Sequence, residues 1–202
     1  MGIDIEYIDG QTPIDEEEKE GLIMKTITTR SDLDEFEQQN IEQAIEWTMT
    51  RKFKNEIIFS EEFVCGLHNR MFGNVWKWAG QFRKTEKSIG IDPIKISVSL
   101  KQLNDDCLYW VENNIYSNEE IAIRYKHSLV KIHCFANGNG RHSRLMADLI
   151  MNKIYLESVF DWGRSNLGDK NEARDCYLKA LREADKGNIH PLINFAKSQP
   201  VK

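Results

Sequence analysis

Apolar residues recur every three to four positions along most of this chain, the period of a helix with one buried face. One long pattern carries Leu33, Phe36, Ile41, Ala44, Ile45 and Trp47 mostly on one side, and Thr29 or Ser31 can cap its start. Ser60, followed by Glu61 and Glu62, opens another helix, which Gly73 ends. A further pattern runs from about Ser97 to Ile115. Ser117-Asn118-Glu119-Glu120 reads as a capping box for the next, which continues through Ile123, Tyr125 and Leu129 to Ile132. Later helices run to about Tyr155 and from a cap at Asp169 to Gly187, and Pro191 suits the first turn of the last. Before Thr28 the pattern weakens. Pro13 and the acidic cluster Asp15 to Glu18 start a short helix that Gly21 ends, within a loosely ordered arm. The expectation is an all-α chain with an arm at residues 1–28 and a single domain at 29–202.

The period changes between about 86 and 97. Ile89 and Ile91, then Ile94 and Ile96, alternate about Asp92-Pro93, with Gly90 inside. The pattern alone leaves a small hairpin and a plain connecting loop equally open. Trp76, Trp78 and Phe82, just upstream, read as core aromatics.

Composition narrows the class. A chain of 202 residues, 41% hydrophobic and 29% charged, can bury one sizeable core. A net charge of −5 argues against direct nucleic-acid binding as the main activity. No apolar run is long enough for a bilayer and no basic-then-apolar leader opens the chain, so a cytoplasmic protein without membrane contact is expected. Cys65, Cys107, Cys134 and Cys176 are scattered and read as reduced thiols rather than zinc ligands.

The densest chemistry lies in His133-Cys134-Phe135-Ala136-Asn137-Gly138-Asn139-Gly140-Arg141-His142-Ser143-Arg144. His133 is a candidate general base for a hydroxyl nucleophile. Asn137 offers a side-chain oxygen to a hard cation such as Mg²⁺. The N–H groups around Gly138, Asn139 and Gly140, at the mouth of a helix, suit phosphate oxygens. Arg141 and Arg144, three apart, share a helical face and can grip one polyanion. Phosphoryl-type transfer needs mainly alignment and charge stabilisation, so this short set is nearly sufficient for it. No G-x-x-x-x-G-K-[ST] loop suggests an ordinary NTPase. His68, His127, His142 and His190 read as core or surface residues.

The run resembles the Fic family signature H-x-F-x-[D/E/N]-G-N-G-R-x-x-R at every fixed position, with Cys134 where proline is usual. The resemblance implies a Fic fold, an all-α helical bundle with a small β-hairpin flap. It implies transfer of AMP from ATP, with Mg²⁺, to a Ser, Thr or Tyr hydroxyl of a target protein. His133 would then be the base, Phe135 a buried loop anchor and Asn137 the Mg²⁺ position. Gly138, Asn139 and Gly140 would form the anion cradle, Arg141 would bind the phosphates and Arg144 the γ-phosphate. Arginine at 141, rather than lysine, points to nucleotidyl transfer. Trp78-Ala79-Gly80-x-Phe82-Arg83 followed by Ile89-Gly90 is similar to the family's flap, where Ile89, Gly90 and Ile91 would hold the target as an added strand.

Over nearly its whole length the chain looks like the mobile mystery protein B subfamily, which implies a helix-turn-helix partner. Many members are restrained by a glutamate from [S/T]-x-x-x-E-[G/N] that pairs with the second signature arginine, here Arg144. Ser31-x-x-x-Glu35 is followed by Phe36, while Glu37 follows an apolar residue but has Leu33 where Ser or Thr belongs. Glu37 is the favoured inhibitory residue and Glu35 its alternative. Use of another nucleotide, removal of AMP, and a catalytically silent regulator are the competing readings.

Overall fold

The computed structural model describes residues 15–163 and 170–197. Its helices are α1 (Glu16–Lys19), α2 (Arg30–Met49), α3 (Asn55–Ile58), α4 (Glu61–Phe72), α5 (Ile96–Asn113), α6 (Asn118–Ile132), α7 (Asn139–Leu149), α8 (Lys170–Asp185) and α9 (His190–Lys197). A 3₁₀ turn, Pro93–Lys95, leads into α5, and α7 runs on as a π-helical stretch, Ile150–Ile154. α6 packs between α5 and α7, α2 lies on α4, and α8 pairs with α9. Val64, Leu67, Leu100, Ala122, Tyr125, Met146 and Ile150 are buried in one continuous core. Each fully buried side chain of the larger kind contributes about 1.5–3 kcal/mol.

Local chemistry sets the helix starts. The Thr29 hydroxyl accepts the Asp32 N–H at 3.1 Å and the Asp32 carboxylate accepts the Thr29 N–H at 3.1 Å, so Thr29, not Ser31, caps α2. Ser60 caps α4 through the Phe63 N–H, and Ser117 caps α6 through the Glu120 N–H. Only half of the box expected at Ser117 is seen, because the Glu120 carboxylate accepts from Arg124 Nε at 2.8 Å. Pro13 and Asp169, which the pattern credits with starting helices, lie outside the described residues.

Two expectations need correction. Among the described residues no β-strand forms, so the hairpin at 86–97 is replaced by an irregular loop and the turn into α5. The reason is local: the Asp92 carboxylate accepts the Ile94 N–H at 3.0 Å and Pro93 presets φ, which starts a helix where alternation suggested a second strand. Ile96 is then a buried residue of α5, and Ile94 is 89% exposed. The arm is also not loose over residues 15–28. Ile23 N–H bonds the Val75 carbonyl and Lys77 N–H the Gly21 carbonyl, Leu22 and Trp76 make a lone antiparallel bridge, and Ile27 is buried.

Candidate active site

His133 closes α6 with φ at 57°, its N–H bonded back to the Leu129 carbonyl at 3.2 Å. A non-glycine residue in this left-handed region is strained, so its surroundings must hold it. Buried Arg83 does so. Its Nε–H donates to the His133 carbonyl at 2.7 Å, Nη1 to Thr85 at 2.8 Å and Nη2 to the Ile91 carbonyl, while its backbone N–H reaches the Cys134 carbonyl at 2.9 Å. Gly90, φ 106°, lies so close that a Cβ there would stand 2.6 Å from the His133 Cβ. Only glycine fits. The loop expected to be a flap therefore does reach the candidate base, through Gly90 and through the Ile91 N–H to the Ile132 carbonyl at 3.4 Å.

The His133 ring is buried, with the backbone of Val130 beside it. Burial first, then the charges of Arg83 and Lys87, push its pKa down to about 4 against the opposing effect of the Val130 backbone. It is neutral at pH 7, the form that accepts a proton.

Beyond His133 the loop rests on stacked rings. Phe135 is fully buried, face to face with His68 at 3.7 Å between centroids and edge-on to His142 at 5.3 Å. His68 accepts the Gly80 N–H at Nδ1, so its proton sits on Nε2, which donates to the Asn137 carbonyl at 3.0 Å. The Asn139 side chain clips the turn, accepting the Phe135 N–H at 3.0 Å and donating to the Phe135 carbonyl at 2.8 Å. At Gly138, φ 77°, a Cβ would meet the Phe72 ring at 2.6 Å. Cys134 is buried as part of the same turn, so the loop is anchored without the usual proline. The sequence reading missed the bracing by His68 and Arg83. No local pattern marks it, since both partners lie far along the chain.

These neutral imidazoles tie stability to pH. Burial holds His142 at about 3 and His68 well below the ordinary 6.5, alongside His133 at about 4. Native-state values below the unfolded one mean that the unfolded chain binds more protons under pH 6.5. Stability is then full above pH 6.5 and is lost as pH falls toward 4, by up to about 1.4 kcal/mol per histidine per pH unit. Urea midpoints should drop clearly between pH 7.5 and pH 5. Equal midpoints would show that the rings are not held neutral.

The start of α7 has a geometry that suits an anion. Its first closing bond runs from the His142 N–H to the Gly138 carbonyl at 2.9 Å, so the N–H groups of Asn139, Gly140 and Arg141 lie ahead of it. A Cβ at Gly140 would meet nothing within 4 Å, which leaves room over the turn. Asn137 is less suited to its expected part. Its Oδ1 accepts the Gly138 N–H at 2.6 Å, and among the described residues no three His, Cys, Asp or Glu side chains converge as metal ligands. Mg²⁺ usually takes one or two carboxylates besides phosphates and water, so a resident ion does not fit these residues.

The arginines diverge. Arg141 Nη1 donates to Glu37 Oε2 at 2.6 Å, and its guanidinium lies over Phe72 at 4.8 Å. Glu37 is buried, its other oxygen accepting the Trp76 indole N–H at 2.6 Å. Arg144 lies instead over the Tyr177 ring at 4.8 Å, beside buried Lys126, whose Nζ donates to the Tyr177 hydroxyl at 2.5 Å. Glu37 thus meets the first signature arginine, not Arg144 as expected, because Arg144 sits one turn further along α7, against α8. Glu35 is exposed on α2 and takes no part. Trp76, expected as a plain core aromatic, also aims the Glu37 carboxylate.

Residues 58–151 match the Fic/DOC family. That matched segment holds the whole run from His133 to Arg144. A protein adenylyltransferase Fic of Nematostella vectensis is 26% identical over 171 residues, which cover 82% of this chain and 38% of that protein. One from Drosophila grimshawi is 30% identical over 138 residues, 65% of this chain and 26% of that protein. The chain spans well under half the length of these curated relatives. Among solved structures, Fic-1 from C. elegans superposes with a TM-score of 0.62 at 22% identity, covering 78% of this chain and 46% of that one. BepC of Bartonella tribocorum, solved with bound AMPPNP, gives 0.66 at 18% identity over 93% of this chain and 100% of that one. At such identities the superpositions establish the fold. The relatives named here lend no support to the mobile mystery protein B likeness. No helix among the described residues is long and apolar enough to cross a membrane.

Proposed function

We propose that this Fic domain transfers AMP from ATP to a Ser, Thr or Tyr hydroxyl of a target protein and releases pyrophosphate. The observation that carries this reading is the joining of a neutral, buried His133 to the open N-terminus of α7 by one short, braced loop. The names of the curated relatives support it, as does the AMPPNP held by BepC.

In this reading the triphosphate lies over Gly138 to Gly140, where the first N–H groups of α7, from Asn139 onward, offset its charge without reorganising. Arg141 neutralises the phosphates once it leaves Glu37. The target oxygen attacks the α-phosphorus, the bond to the bridging oxygen of the β-phosphate breaks, and the proton of the hydroxyl passes to His133. The neutral imidazole carries its proton on one ring nitrogen and keeps on the other the lone pair that accepts. A pKa near 4 makes a weak base in the empty protein. An arriving triphosphate places negative charge beside the ring, which raises an imidazole pKa, so the base strengthens when nucleotide is present. Mg²⁺ enters only as the ion that accompanies ATP, and Arg144 is the second cation for the far phosphates. A helix-turn-helix partner and a cytoplasmic location rest on the sequence resemblance alone.

The test is labelling with each nucleotide in turn. α-Labelled ATP should mark protein and γ-labelled ATP should not, with an AMP-sized mass increase on a hydroxyl residue. Preference for another α-labelled nucleotide, or transfer of the γ-label, would overturn the assignment.

A further inference from the structure

Lys87 and Thr85 stand two residues apart on the loop that touches His133, and both donate to the same carboxylates. Lys87 Nζ reaches Asp15 Oδ2 at 2.7 Å and Glu18 Oε2 at 2.5 Å, and the Thr85 hydroxyl reaches the same Asp15 oxygen at 3.2 Å. The Lys87 side chain is only 4% exposed, although it belongs to a surface loop. Its partners come from α1 and its cap, some 70 positions away in sequence. This is docking, not local helix pairing. The α1 segment is seated by the Trp78 indole N–H, which donates to the Glu18 carbonyl at 3.0 Å, and by Gly21, whose Cβ would meet Trp78 at 2.6 Å.

The clamp adjoins the chemistry. Gly90, three residues beyond Lys87, packs on His133, and the Lys87 charge is felt at that ring. Of the loop's other basic side chains, Arg83 is taken up by the carbonyls of His133, Thr85 and Ile91, and Lys84 is exposed. Lys87 and Thr85 are the donors of this loop that already hold carboxylates close to His133. Two carboxylates now crowd one ammonium, and their mutual repulsion makes the present occupant replaceable by a single acidic side chain. Next to the clamp, Ile89 and Ile94 stand exposed, so an incoming segment finds apolar contact as well.

We propose that the Thr85–Lys87 pair recognises an acidic residue close to the modified hydroxyl of the target, and that Asp15 and Glu18 occupy this place in the free protein as a built-in competitor. The proposal rests on the reading of His133 as the base of AMP transfer. It implies a target segment that joins a hydroxyl residue to a nearby Asp or Glu. α1 is then a strap over the target site, separate from the Glu37 contact on the nucleotide side.

The test uses three acceptor peptides, each with one hydroxyl residue, flanked by Glu, Gln or Lys, and α-labelled ATP with the Glu37→Gly protein. The Glu peptide should be labelled about fivefold faster than the Gln peptide, the scale of one partly shielded charge pair. Lys87→Glu should reverse the order in favour of the Lys peptide. Asp15→Asn with Glu18→Gln should speed the Glu peptide more than the Gln peptide. Equal rates for all three peptides in every variant would overturn the proposal. If no protein or peptide is labelled at all, the transfer reading fails instead. Fluorescence anisotropy of the dye-labelled Glu peptide then decides: tighter binding to the doubly neutralised protein and loss with Lys87→Glu support the clamp, and unchanged binding overturns it.

Discussion

Alanine in place of His133 is expected to lower AMP transfer by about 10²–10⁴-fold, the usual contribution of a positioned base. ATP affinity should stay within about twofold, because the groups facing the phosphates belong to α7 and its cap. The two readouts separate chemistry from folding. His133 is strained and its backbone is held by Arg83, so alanine keeps the same carbonyl bond and the same Cβ against Gly90. A collapse of the loop would therefore be an unexpected result, and it would show as lost ATP binding together with lost transfer. Full labelling by His133→Ala would remove His133 from the mechanism.

Glu37→Gly is expected to raise labelling by about 10- to 100-fold, the worth of a charge-assisted hydrogen bond that no longer competes for Arg141. The carboxylate is buried and fixed at both oxygens, so it holds Arg141 in place, and in the proposed mechanism an incoming phosphate must break that contact. Removing it leaves Arg141, which is partly exposed, free to meet phosphate rather than stranded in a core. Glycine inside α2 costs about 1 kcal/mol of helix stability, so Glu37→Gln is the companion variant that keeps the helix. It keeps an acceptor for Trp76 but loses the charge that attracts Arg141. Glu35→Gly should change nothing, since Glu35 faces solvent. Wild-type protein that labels as fast as all three variants would place any restraint outside this chain.

The longer helices were legible in order because caps and apolar period act within a few residues, whereas the single turn of α3 carries too short a pattern to be read. Ser60, Ser117, Gly73 and Gly187 mark ends that the structure keeps. The Asp92-Pro93 segment misled for the same reason. Alternating isoleucines mimic a strand, but a capping aspartate before proline is also a helix start, and the burial of Ile96 in the bundle selects it. The candidate inhibitory residue shows how far a motif reaches. Glu37 was readable as the candidate from Phe36 and its helix, but its partner was not, since pairing with Arg141 or Arg144 depends on how α2 and α8 lie along α7.

What the chain order alone determined was therefore the candidate reagent set: a histidine, a glycine turn, a helix mouth and two arginines, all within one short run whose geometry is local. Tertiary structure decided everything that joins distant segments. It made Arg83 the brace of His133, His68 the strut under Asn137, and Asp15 with Glu18 the cover on Lys87. It also set the proton affinity of His133, because burial and the approach of Arg83 and Lys87 arise only when the helices pack. Local propensity is carried by neighbours in sequence, whereas contacts across tens of residues must first overcome the entropy of closing the loops between them, and no pattern in the chain encodes that outcome by itself.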